Sequence, residues 1–124
     1  MRTPPIIVRT IDRAELQRKL AAHENFKLVM ALGEWAFRAK HIPGSIHFNS
    51  TSQMLAALKR DEDIVLYCSN VDCHASVALY ETLLDHGFTH VRRYAGGLFE
   101  WESAGLPLEG DWVDDPTPTG GSSD

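Results

Sequence analysis

The chain contains two cysteines, Cys68 and Cys73, set within a short run of small or polar residues: Ser69, Asn70, Val71, Asp72 and His74. Cys68 directly follows Ile64-Val65-Leu66-Tyr67, an apolar and partly β-branched run between charged and polar neighbours, which reads as a buried strand. A helical pattern opens a few residues later, near Ser76. In a parallel sheet, ligands gather outside the carboxyl ends of the strands. A loop there that feeds a helix N-terminus can turn its amides toward an anion, and the same field favours a thiolate over a thiol. Cys68 is therefore a candidate nucleophile with a lowered pKa. The amides of Ser69, Asn70, Val71, Asp72, Cys73 and His74 are the candidate binding set. The competing reading is a small core residue closing a buried strand, and position alone leaves both open.

Other chemistries fit less well. Cys68, Cys73 and His74 can offer ligands to zinc, but a structural site needs four, and no second Cys or His pair stands at suitable spacing. No metal site and no organic cofactor is expected. His41 lies in a Pro-Gly turn, which favours a packing or capping role, and His23, His47, His86 and His90 read as surface or helix-end residues. Trp35, Phe99 and Trp101 read as core or rim packing, and Arg38 as solvated surface. Arg92-Arg93 is too small a basic cluster to imply a partner.

The elements that must hold Cys68 in place are legible as an alternation of strands and helices. Ile6-Ile7-Val8 reads as a short strand, and the Asp12–Glu15 capping-box spacing opens a helix running to about His23. Phe26 to Leu32 suits a buried strand, Pro43-Gly44 a turn, and Ser45 to Phe48 a further short strand. A helix over Thr51–Arg60 turns Met54, Leu55 and Leu58 to one side. A second over Ser76–His86 turns Val77, Tyr80, Leu83 and Leu84 inward and stops at Gly87. His90 to Tyr94 is a strand, Gly96-Gly97 a turn, and Leu98 to Ala104 a short helix. Such alternation implies an α/β domain with a mainly parallel sheet.

Length and composition are consistent with this. The 124 residues suit one domain, and 44% apolar with 23% charged residues is enough for a real core. The expected domain covers residues 1–115. Residues 116–124 are Pro, Thr, Gly, Ser and Asp and read as a disordered tail. Net charge is −5, yet the last five acids all follow Pro107 and leave the preceding residues neutral. Without a basic face, nucleic-acid binding is not expected. No apolar run approaches the length of a membrane span, and the N-terminus lacks the apolar stretch of a signal peptide, so no membrane is expected either. Two cysteines fall short of a secreted disulfide scaffold, which points to a reducing, cytoplasmic setting.

Four segments together resemble the rhodanese-like domains. They are His41-Ile42-Pro43-Gly44-Ser45-Ile46, Ile64-Val65-Leu66-Tyr67-Cys68, Gly87-Phe88-Thr89-His90-Val91, and Tyr94-Ala95-Gly96-Gly97-Leu98-Phe99-Glu100-Trp101 with Ala104-Gly105-Leu106-Pro107. The resemblance implies a five-stranded, mainly parallel sheet with helices on both faces, and a sulfurtransferase that carries sulfur on Cys68. It implies a small sulfur donor and a thiol or protein-cysteine acceptor. Two departures from the family pattern stand out. Met30 and Leu32 occupy the places of a common Asp-x-Arg pair, and Cys73 occupies that of the loop arginine, with Ser76 two residues later than usual. The Cys-x4-Cys-x2-Ser loop resembles a sub-group of the family. Its lack of Lys or Arg argues against phosphatase chemistry, which needs an arginine on the phosphate. It also makes thiosulfate, a dianion, a poor expected donor. The rival function is a redox-sensing or interaction module with a reversible Cys68–Cys73 disulfide and no sulfur transfer.

Overall fold

The structure is a computed structural model that describes residues 8–69 and 74–113. Nine elements follow in chain order: β1 (Thr10–Ile11), α1 (Arg13–Ala21), β2 (Lys27–Met30), α2 (Glu34–Ala39), α3 (Thr51–Ala57), β3 (Ile64–Tyr67), α4 (Ala75–Asp85), β4 (Val91–Tyr94) and α5 (Gly97–Ser103). The strands pair in the order β1-β4-β3-β2, and every pairing is parallel.

Side-chain alternation divides the core into two layers. Leu28, Met30, Val65, Tyr67 and Tyr94 face one side, where Leu16 of α1 and Trp101 of α5 pack on them. Val29, Ile64, Leu66 and Val91 face the other, against Met54 of α3 and Tyr80 and Leu83 of α4. The central strand β3 is buried on both faces, which is why its sequence is continuously apolar.

Local signals explain most boundaries. The Asp12 carboxylate accepts from the Glu15 amide at 2.8 Å, starting α1, and Ser50 Oγ accepts from the Gln53 amide at 3.1 Å, starting α3. Helix α4 ends in a Schellman motif. The Gly87 amide donates to Leu84 O at 3.1 Å and the Phe88 amide to Leu83 O at 3.0 Å. That geometry needs Gly87 at φ 89°, which glycine adopts without strain.

Two expectations change. The α/β class with helices on both faces holds, but the sheet has four strands among the described residues rather than five. Ser45–Phe48 contracts to one parallel bridge, Ile46 beside Val29. Ile46 exchanges two 2.8 Å hydrogen bonds with Leu28 and Met30, while Ser45 is consumed by the preceding turn and Ser50 already caps α3. Too few residues remain for a ladder. Of the expected strand Ile6-Ile7-Val8, Ile6 and Ile7 lie outside the described residues; the first described strand pairs through Thr10 and Ile11. Helix α2 was not anticipated, being short and without a side-chain cap.

Candidate functional site

Cys68 is the first residue beyond β3, at its carboxyl end, and is 1% exposed. Its backbone is fixed from α5: the Leu98 amide donates to Cys68 O at 2.9 Å and the Phe99 amide to Ser69 O at 2.7 Å. These two donors belong to the first turn of α5, where amides lack helical partners, so the helix start clamps the start of the loop. The chain enters α5 through Gly97 at φ 64°, a left-handed conformation that glycine adopts without strain, and a Cβ on Gly96 would meet the Glu100 side chain.

The expected binding set is only partly described. Ser69 is half-buried beside Cys68. His74 is exposed and caps α4 through its backbone, its carbonyl accepting from the Ala78 amide at 3.0 Å, with no side-chain capping bond. Asn70, Val71, Asp72 and Cys73 lie outside the described residues. Cys68 itself is in the disulfide-bonded form.

On the α1/α5 side of β3, Tyr67 closes a neutral circuit. The Ile42 amide donates to Tyr67 Oη at 3.0 Å, and Ser45 Oγ donates to Ile42 O at 2.6 Å. The 2.9 Å contact between the two hydroxyls must then have Tyr67 as donor, because Ser45 has spent its proton. Burial pushes the Tyr67 phenol up to about 12 against the opposing effect of Ser45 and the Ile42 amide. Tyr94, next to it on β4, donates to Glu100 Oε1 at 2.7 Å; burial first and that carboxylate second raise its pKa as well.

On the α4 side stands a pair that sequence reasoning missed. Arg93 of β4 is 8% exposed, and its Nε donates to Oγ of the fully buried Ser76, in the first turn of α4, at 2.7 Å. Arg92 points to the other face, where it meets Glu15 of α1 at 2.8 Å. Strand alternation was the available signal. With helices on both faces, consecutive arginines must go to opposite layers, and they are not one surface cluster.

The remaining residues are structural. His41 stacks on Phe37 with ring centroids 4.0 Å apart, its Nδ1 lies 2.7 Å from Phe37 O, and its backbone pairs with Glu109. His47 departs from the surface reading. It is half-buried, stacks on Phe37, and its Nε2 has no hydrogen-bond partner among the described residues. Trp101 belongs to the core, whereas Phe99 and Trp35 are exposed, the latter edge-to-face with Trp112 at 4.8 Å. Arg38 is surface, paired with Glu34. Beside the β2 end, Ala31, Leu32, Phe48, Thr51, Met54 and Leu79 help to line an uncharged cleft of about 200 Å³. Its wall adjoins the site, since the Ala31 amide donates to Tyr67 O at 2.8 Å. No described helix is long and apolar enough to cross a membrane.

The arrangement agrees with known proteins. The chain is 37% identical over 112 residues to an HTH-type transcriptional regulator of Mycobacterium tuberculosis, covering 89% of this chain and 46% of that protein, so it spans about half its relative's length. A rhodanese-like domain from Anabaena sp. superposes with TM-score 0.71 at 23% identity, covering 95% of this chain and 89% of that one. A thiosulfate sulfurtransferase from Pseudomonas aeruginosa gives 0.70 at 20% identity over 83% of this chain, but only 20% of that chain. The family model for the rhodanese-like domain matches residues 12–104, and the chain belongs to that family.

Proposed function

We propose that this domain is a sulfurtransferase that carries sulfur on Cys68. The observation that supports this reading best is the seat of Cys68, buried at the carboxyl end of β3 with its carbonyl anchored to α5. The disulfide-bonded form must first be reduced by a thiol. The Cys68 thiolate then attacks the outer sulfur of a small sulfane donor. The donor's S–S bond breaks, its electron pair leaves with the inner fragment, and Cys68 becomes a persulfide anion. A thiol or protein-cysteine acceptor, as thiolate, attacks the outer persulfide sulfur and releases Cys68, a double displacement. The amides of Ser69, Asn70, Val71, Asp72, Cys73 and His74 are assigned to stabilising both anions. Thiosulfate is expected to be a slow donor, because the loop sequence has no Lys or Arg and includes Asp72. Neither nucleic acid nor membrane has a part in this reading.

Two observations favour a second reading. Cys68 is disulfide-bonded, the chain's other cysteine is Cys73, and the related Mycobacterium tuberculosis protein is a transcriptional regulator. In that reading the pair is a reversible redox switch. Intact-mass measurement of the reduced protein after exposure to an organic persulfide separates the two. Sulfur transfer adds a sulfur atom, lost in Cys68→Ser and retained in Cys73→Ser. A switch loses two hydrogens and adds nothing.

A further inference from the structure

The family's common loop arginine is absent here, and Ser76 stands two residues later than the pattern places it. The structure shows what Ser76 meets. Register sets Arg93 beside Leu66, two residues before Cys68, on the face where α4 packs. From there its guanidinium reaches Ser76 Oγ at 2.7 Å, with Ser76 wholly buried. The segment from Cys68 to α4 is thus tied at both ends, by α5 amides at Cys68 and Ser69 and by Arg93 at Ser76.

We propose that Arg93, held by Ser76, is a positioning residue for Cys68: it fixes the start of α4 and brings from the neighbouring strand the positive charge that the loop lacks. In a poorly solvated layer the field of a guanidinium acts on a nearby anion far more strongly than in water. Ser76 is one of its partners rather than its sole one, as burial of a charge requires. On α4, Glu81 and Asp85 have partners of their own. His74 opens α4 from the solvent side, and Glu100 of α5 is engaged by Tyr94 on the opposite layer. Glu34, which opens α2 after β2, pairs with Arg38 at the surface, and Asp72 lies outside the described residues. Arg93 therefore biases Cys68 toward the thiolate and toward the persulfide anion. This inference rests on the reading of Cys68 as the nucleophile.

The test is the pH dependence of iodoacetamide alkylation in the reduced Cys73→Ser protein, where Cys68 is the one cysteine. Its midpoint is expected below the free-thiol value of ~8.5. Arg93→Gln should raise it by about one unit, a tenfold loss of thiolate at fixed pH. Arg93→Lys should restore most of the shift, because it keeps the charge. Ser76→Ala should raise the midpoint less, by loosening the arginine. An unchanged midpoint in folded Arg93→Gln overturns the proposal. If that variant does not fold, an unchanged midpoint in Ser76→Ala overturns it instead. Persulfide loading of the wild type is scored separately. Absent loading with a midpoint that still follows Arg93 removes the sulfur-transfer reading and keeps this inference.

Discussion

Two buried polar contacts flank the carboxyl end of the sheet, one on each face, and they differ in kind. On the α1/α5 face, Tyr67, Ser45 and the Ile42 backbone form a closed neutral circuit in which every proton has an acceptor. On the α4 face, Ser76 accepts from a charged guanidinium. The neutral circuit pins the His-Ile-Pro-Gly-Ser turn against β3 and leaves no net field behind. The charged contact pins the start of α4 with a guanidinium that has further partners besides Ser76. Anchoring and electrostatic tuning are thus assigned to opposite faces of one strand pair. A neutral network holds geometry, whereas a nearby charge also favours one protonation state of an ionisable group beside it.

Removing a hydroxyl from each face tests that division. Ser76→Ala should have the larger effect, about 1.5–3 kcal/mol of stability, because its partner is charged. Urea unfolding measures it. Tyr67→Phe leaves the buried Ile42 amide and Ser45 hydroxyl short of a partner and should cost about 1–3 kcal/mol, while the Cys68 alkylation midpoint stays where it was. A midpoint that moves with Tyr67→Phe as much as with Ser76→Ala breaks the comparison.

Alkaline titration supplies a weaker contrast. Tyr67 keeps its proton up to about 12 when folded and to ~10 when unfolded. Its contribution is complete below pH 10 and declines as pH rises toward 12, since the unfolded chain then binds fewer protons. Tyr94, raised in the same direction, adds to the decline. Unfolding free energies between pH 9 and about 12 should fall less steeply in Tyr67→Phe than in the wild type. The smallest effect is expected from deleting residues 116–124, whose composition has little to bury: melting temperature and persulfide loading should be unchanged. A loss of several degrees would mean that they support one of the two faces.

Much of the frame was legible residue by residue. Asp12 with Glu15, Gly87 after His86, and the unbroken apolar run Ile64–Tyr67 each act through neighbours in sequence, so the pattern is local and readable. The failures were of another sort. Ser45–Phe48 has strand-like composition, yet a turn on one side and a cap on the other leave Ile46 alone to bridge. Arg92-Arg93 looked like one surface cluster because side-chain direction depends on which layers cover the sheet.

The sequence by itself determined the alternation of elements, the place of Cys68 at a strand's end and the motifs of the rhodanese-like family, because each depends on short-range propensity, capping or spacing. The tertiary structure alone decided that Ser45 meets Tyr67, that Arg93 meets Ser76, and that the α5 amides hold the Cys68 and Ser69 carbonyls. Those partners are far apart along the chain. Their meeting depends on strand register, on the parity that sends alternate side chains to opposite layers, and on how closely each helix packs, none of which any one segment encodes.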